Sequence, residues 1–178
     1  MSRFFDQRAA GQPCGESGRP AAMRPALELR SRMLQEVRAF FCARDFIEVE
    51  TPVRVRAPAP ELHIEAEAAD GAFLRTSPEL HMKRLLAAGY QRLFQLGPCF
   101  RKGERGLLHN PEFTMLEWYR AGADYLDLLA DAKALIRHVA LGALGRDAIQ
   151  RQGREIELAP VWDAFRVSEL FRAHAGWD

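Results

Sequence analysis

The side chains best suited to chemistry lie in the stretch from Phe94 to Arg120. Two β-rich runs flank a loop rich in glycine and charge, a pattern typical of a long antiparallel hairpin. Alternation along the second run divides it into two faces. One face carries ordinary core residues, which are Thr114, Leu116 and Trp118. The other carries a ring, a thioether, a carboxylate and a phenol, which are Phe113, Met115, Glu117 and Tyr119. This second face suits a planar base and a cationic amine better than it suits a dry core.

The segments before the hairpin predict the elements that hold it. Residues 1–25 contain several glycines and prolines without periodicity, so we expect a flexible leader. Apolar residues at helical spacing predict an amphipathic helix over Ala26–Arg44, and FIEVETP predicts a short strand. Residues Leu62–Glu67 and Ala72–Arg75 read as a hairpin around an Asp-Gly turn. A further helix is predicted to begin at Pro78.

The segments after the hairpin add helices on the flanks of the sheet. A second amphipathic helix is predicted over Asp124–Leu141, with Asp124 as its N-cap. Residues Glu155–Leu158 favour a strand, and a short helix follows that ends near Gly176. The helices do not alternate with strands as parallel crossovers require, so the predicted fold class is α+β, an antiparallel sheet flanked by helices.

Composition indicates a folded protein without global affinity for nucleic acid. The chain has 178 residues, of which 48% are hydrophobic and 28% charged, with a formal net charge of +1. It offers no membrane-length apolar run and no signal peptide, so we expect a cytoplasmic protein. The three cysteines are widely spaced and favour neither disulfides nor a metal site.

The block FRKGERGLLHNPEFTMLEWY, within residues 94–120, resembles motif 2 of the class II aminoacyl-tRNA synthetases. Its form is similar to that shared by lysyl-tRNA synthetase and the elongation factor P lysine ligase. Residues 29–60 resemble motif 1, which implies a homodimer interface. The resemblance begins near Leu29 and implies that residues 26–178 form the N-terminal part of a catalytic domain, without motif 3.

The resemblance implies that Arg101 is catalytic, since a fixed guanidinium between two anionic reactants stabilises the transition state of adenylation. It also implies an ATP site made of Arg101, Lys102, Gly103, Glu104, Arg105, His109, Asn110 and Phe113. The usual Arg-x-Glu pattern is altered here, because Gly103 stands where the acid is expected. Glu104, one residue later, is then expected to take over the nucleotide contact.

The resemblance places the amino acid substrate beside Ser77, Pro78, Glu79, Glu117 and Tyr119. Two plainer interpretations stay open. Ser77 can simply cap the helix that begins at Pro78. Glu117 can form a structural ion pair with Arg120 or Arg101. No residue of this chain is predicted to bind a metal.

The implied activity is activation of lysine or β-lysine with ATP and Mg²⁺, followed by transfer to elongation factor P. Too few residues precede the first helix for an anticodon-binding barrel, so tRNA binding is not expected. The Mg²⁺ carboxylates are expected in a C-terminal half that this chain lacks, so the chain alone is expected to be inactive. A lysyl-tRNA synthetase fragment and a non-catalytic paralogue acting as a binding or dimerisation module are the alternatives.

Overall fold

The computed structural model describes residues 18–158 and 162–176. Four helices run through this part of the chain, α1 Gly18–Cys42, α2 Glu79–Ala87, α3 Tyr125–Leu144 and α4 Val167–Ala175. Eight strands accompany them: β1 Ile47–Glu48, β2 Arg54–Val55, β3 Ala68–Ala69, β4 Ala72–Leu74, β5 Arg92–Phe100, β6 Glu112–Arg120, β7 Ala148–Arg151 and β8 Arg154–Glu157. None of the described helices is long and apolar enough to cross a membrane.

The hairpin β5–β6 is the structural centre of the molecule. Its strands pair antiparallel over their full length, with Gln95 opposite Glu117 and Leu93 opposite Tyr119. The short strand β1 pairs with the other edge of β5 in parallel, which the sequence does not reveal. Parallel pairing requires a long connection, and the chain between β1 and β5 supplies it through β2 to β4 and α2. The predicted α+β class is confirmed.

One face of the hairpin packs on the helices as the alternation predicts. Phe94 of β5 stacks on Phe41 of α1 with ring centres 4.7 Å apart, and Trp118 of β6 lies 5.6 Å from the same ring. The core is a cluster of buried side chains from α1, β5 and α3 with the segment before β1, namely Phe40, Phe41, Phe46, Phe94 and Leu135. The second face of the hairpin is therefore left for other contacts.

The first helix is longer than predicted. Residues 18–25, which we assign from sequence to a leader, continue α1 toward its N-terminus, and residues 1–17 lie outside the described residues. Pro20 falls in the first turn, where backbone N–H groups have no intrahelical partner. Pro25 lies inside the helix on an exposed segment, so water can solvate the carbonyl that it leaves unbonded. Neither proline therefore ends the helix, because neither leaves a buried backbone group without a partner.

Two predicted strands are shifted. The turn at Asp70-Gly71 is confirmed, but its first strand is Ala68–Ala69 and not Leu62–Glu67. Leu62 is 93% exposed, so its apolar side chain faces no core. The predicted strand Glu155–Leu158 is Arg154–Glu157, and it pairs with β7 across a turn at Gln152-Gly153. Both turn residues have positive φ, and Gln is a rare choice there, which hides the hairpin from sequence analysis.

The N-cap of α3 is confirmed. Asp124 accepts hydrogen bonds from the backbone N–H groups of Leu126 and Asp127, at 2.8 and 3.1 Å, and the Asp127 carboxylate accepts one from the Asp124 N–H at 3.0 Å. We expect Asp124→Ala to lower the free energy of unfolding by about 1 kcal/mol in urea denaturation, because three backbone donors lose or loosen their acceptors. Glu61→Ala, in an exposed loop, is the control and should change it little.

Candidate active site

The second face of the hairpin carries a polar cluster that we call the substrate end, made of Ser77, Glu79, Glu117 and Tyr119. Both oxygens of the Glu117 carboxylate accept hydrogen bonds from neutral hydroxyls. Ser77 Oγ donates to Oε2 at 2.8 Å, and the Tyr119 phenol donates to Oε1 at 2.5 Å. Glu117 is half-buried, so two side chains fix its orientation in a partly desolvated place.

Ser77 contacts the start of α2, as the plainer interpretation predicts, and it also contacts Glu117; its contact with an amino acid substrate stays a prediction. Its Oγ accepts a hydrogen bond from the backbone N–H of Glu79 at 3.1 Å, at the start of α2, while its hydroxyl hydrogen goes to Glu117. Pro78 occupies the N-cap position of that helix. The start of α2 is thereby attached to the carboxylate on β6.

The structural ion pairs considered for Glu117 do not form in the described part of the chain. Arg120 lies 3.4 Å from Asp131 of α3, and the Arg101 guanidinium carbon lies over the Phe113 ring. The partners that Glu117 does have are neutral. A half-buried carboxylate held by neutral donors is well suited to receive a cation.

Glu79 lies on the first turn of α2 and forms an ion pair with Lys83 one turn later. Its negative charge also acts on the phenol of Tyr119 and contributes to the raised pKa of that group. Burial is the largest cause of that rise, followed by the hydrogen bond to Glu117 and the two nearby carboxylates. The phenol therefore stays protonated and acts as a hydrogen-bond donor.

The raised pKa predicts a specific alkaline behaviour. Tyrosine ordinarily ionises near pH 10. We therefore expect that an alkaline titration followed at 295 nm shows no tyrosinate from Tyr119 until the protein unfolds. The Tyr119 signal is the absorbance of the wild type minus that of Tyr119→Phe. Because the unfolded phenol releases its proton first, the Tyr119 contribution to the free energy of unfolding is complete below about pH 10 and falls above it. A tyrosinate signal from folded protein near pH 10 would contradict the buried hydrogen bond.

Arg101 and Phe113 form a second group at the loop end of the same face. Arg101 directly follows β5, and its backbone N–H donates to the Pro111 carbonyl at 2.8 Å, which continues the ladder by one bond. Its guanidinium carbon lies 5.2 Å from the centre of the Phe113 ring. Arg101 Nε is buried and has no hydrogen-bond partner in the described part of the chain. A buried donor without a partner is a site that an anion can satisfy.

Three of the remaining predicted ATP residues, Lys102, Gly103 and Arg105, lie toward the other face of the hairpin. Lys102 pairs with Glu65 at 3.3 Å. A cavity of about 440 Å³ is lined by Glu67, Phe100, Lys102, Gly103, Arg105, Pro111 and Glu112. Phe100 and Glu112 belong to the face opposite Phe113.

The last three predicted ATP residues lie on the surface of the loop. Glu104 is half-buried, whereas His109 and Asn110 are exposed. Nucleotide contacts by the loop residues remain predictions. The described part of the chain contains no group of three or more acidic, histidine or cysteine side chains placed to hold a metal ion.

The sequence patterns do not predict the burial of three polar residues beside this face. Arg75 is 2% exposed, Thr51 is 6% exposed and Gln95 is 3% exposed. Arg75 directly precedes the Thr-Ser-Pro segment that contains Ser77, and Gln95 is opposite Glu117. Gln95 lies at a position of β5 that faces the same side as Glu117, so the alternation along the strand could have placed it on the second face. Nothing in the local pattern marks Arg75 as buried.

One sheet face thus carries a carboxylate, Glu117, at one end and a guanidinium, Arg101, at the other. Comparison with known proteins gives the chain a family. The profile of "tRNA synthetases class II (D, K and N)" matches residues 17–174. A lysine–tRNA ligase of Pelotomaculum thermopropionicum is 39% identical over 162 residues, covering 88% of this chain and 32% of that protein.

A second relative has a different acceptor in its name. An elongation factor P (R)-β-lysine ligase of Vibrio cholerae is 42% identical over 130 residues, covering 67% of this chain and 40% of the ligase. This chain thus spans 32% and 40% of the length of these two relatives. Because the family profile covers most of the described chain, the protein belongs to the class II tRNA synthetases of the D, K and N type.

Proposed function

We propose that the protein containing this chain activates lysine, or a β-lysine isomer, as an aminoacyl-adenylate. In this reaction a carboxylate oxygen of the amino acid attacks the α-phosphorus of ATP, the bond to the β-phosphate breaks, and pyrophosphate leaves. The observation that carries the proposal is the Glu117 carboxylate, held by Ser77 and Tyr119 on the same face as Arg101. The ammonium group of lysine can thus bind at the carboxylate end of this surface, and the lysine carboxylate and the ATP phosphate can bind at the guanidinium end.

Each end has a separate task in this proposal. At the substrate end, Glu117 and Glu79 receive the ammonium groups of lysine, and Lys83 gives up its contact with Glu79 when they bind. At the loop end, Arg101 bridges the substrate carboxylate and the α-phosphate and offsets the charge that develops between them. Phe113 provides a flat surface for the adenine ring. Mg²⁺ would neutralise phosphate charge, and we expect its ligands outside the described residues.

We further propose that the activated lysine is transferred to a lysine side chain of elongation factor P. The relative from Vibrio cholerae supports this acceptor, and the lysine–tRNA ligase relatives support tRNA as the second candidate. The two differ in the product formed, an amide on a protein or an ester on RNA. Resemblance of residues 29–60 to motif 1 also supports a homodimer.

The acceptor can be tested directly with labelled lysine. The full-length natural protein is incubated with ATP, labelled lysine or β-lysine, and either elongation factor P or tRNA. We expect label that stays on elongation factor P after alkaline treatment, which hydrolyses esters but leaves amides. An elongation factor P variant with its acceptor lysine replaced by arginine is the control. Alkali-labile label on tRNA alone would replace this acceptor with the second candidate.

A further inference from the structure

Arg75 lies against the β5 half of the site face, beside Gly97 and Gln95, and is bonded to two separate segments. Its Nε donates to the carbonyl of Pro98 at 2.9 Å, and its Nη1 donates to the carbonyl and hydroxyl oxygens of Thr51 at 2.7 and 3.1 Å. A Cβ placed on Gly97 would lie 2.8 Å from Nη2, so the guanidinium lies against the backbone of β5. At 2% exposure its charge is almost fully removed from water.

The backbone of Arg75 is attached to the same strand. Its carbonyl accepts a hydrogen bond from the N–H of Phe100 at 2.9 Å, and its own N–H donates to Val53 at 2.9 Å. Together with the bond from Nε, this attachment fixes Pro98 and Phe100, two of the last three residues before Arg101. Arg75 therefore fixes the end of β5 together with the pairing to β6, and the Arg101 Cα follows directly from that end.

The same residue is coupled to the substrate end. Ser77 follows Arg75 by two positions, and the Thr51 hydroxyl and N–H both donate to Gln95 Oε1, at 2.8 and 3.1 Å. Gln95 is opposite Glu117 in the register of the hairpin. Arg75 thus lies where the segments that hold both ends of the site converge.

The buried charge of Arg75 sets it apart from an ordinary core side chain. Among the described residues the ion pairs do not include Arg75, and its guanidinium instead donates to the carbonyl oxygens of Pro98 and Thr51 and to the Thr51 hydroxyl. Burying a cation without a carboxylate is costly, but losing it would leave these acceptors unpaired, so the guanidinium holds the two segments together. Its charge also acts on the neighbouring Cys99, where it opposes the rise in thiol pKa that burial causes.

We propose that Arg75 is a positioning residue for adenylation, whose planar fork holds the end of β5 so that Arg101 is placed for the transition state. The inference rests on the proposed function. The fork is the essential property, because its Nε and Nη1 donate to Pro98 and Thr51 from two separate positions, whereas all donors of a lysine ammonium come from one nitrogen. A misplacement of about 1 Å can cost a hundredfold in rate, so a small shift of Arg101 has a large effect.

A double-mutant cycle on Arg75 and Arg101 tests this role. Lysine-dependent ATP–pyrophosphate exchange is measured in the full-length protein with Arg75→Lys, Arg101→Ala and both changes. We expect Arg75→Lys to lower kcat on the order of thirtyfold when Arg101 is present and less than about threefold when it is absent, because the positioning effect needs its target. An equal loss in both backgrounds would overturn the inference.

Two further variants separate positioning from loss of stability. Phe41→Leu weakens the core on the opposite side of the sheet, and its effect on exchange should be the same in both backgrounds. Gly97→Ala displaces the Arg75 guanidinium without removing it and should show the same dependence on Arg101 as Arg75→Lys. Gly97→Ala can also replace Arg75→Lys in the cycle if Arg75→Lys fails to fold. An equal loss from Gly97→Ala in both backgrounds would again overturn the inference.

Absence of exchange in the wild type would instead overturn the proposed function, and this inference with it.

Discussion

Arg101→Ala is expected to lower the rate of lysine adenylate formation by about a hundredfold or more, the usual cost of removing a preorganised charge stabiliser. The structure gives the reason in two observations. Arg101 Nε is buried without a partner, and the guanidinium is supported by the Phe113 ring. Within the described residues Nε has no acceptor, which is a place that an anion can fill. ATP–pyrophosphate exchange with lysine measures the effect.

Two comparisons make the Arg101 result specific. Arg101→Lys should recover only part of the rate, because an ammonium cannot bridge two anions with a planar fork. Arg154→Ala, which removes an exposed arginine from β8, should leave the rate unchanged. Near-normal exchange by Arg101→Ala would refute the role that we assign to the loop end.

The second large effect concerns the choice of amino acid. We expect lysine to be activated in preference to norleucine by roughly ten-thousandfold in kcat/KM, since norleucine would leave the polar groups of the substrate end unpaired. Glu117→Gln should lower kcat/KM for lysine by roughly a hundredfold, the scale of a hydrogen bond to a charged group. It should leave the slow activation of norleucine unchanged, because norleucine has no ammonium at that position.

Glu112→Gln is the matched control for this experiment. Glu112 is an exposed carboxylate on the same strand, but it points to the opposite face. Its replacement should alter neither substrate. If Glu117→Gln lowered the activation of lysine and norleucine by the same factor, Glu117 would be supporting the strand and not reading the substrate.

The parts of the site that follow from the sequence are those fixed by local geometry. The period of two along β6 places Glu117 and Tyr119 on one face and Trp118 on the other, whatever the strand packs against. The contact of Ser77 with the start of α2 follows from the chemistry of helix starts. The structure adds that the same hydroxyl also donates to Glu117.

The parts that do not follow depend on distant contacts. Arg75 is buried because the carbonyls of Thr51 and Pro98 meet around it, and these residues are far from it in sequence. The loop after Arg101 turns at Gly103, which has a φ of +74°, and Lys102 and Arg105 line a cavity on the other face. Alternation gives no guidance once the chain leaves the strand, so those side-chain directions could not be predicted.

We propose that one face of the hairpin binds the amino acid at one end and the nucleotide at the other. Calorimetric titration of a non-hydrolysable lysyl-adenylate analogue into the full-length protein can test this claim. We expect tight binding by the wild type and a loss on the order of tenfold or more for Glu117→Gln and for Arg101→Ala separately. Binding of the analogue by either variant with wild-type affinity would contradict the claim.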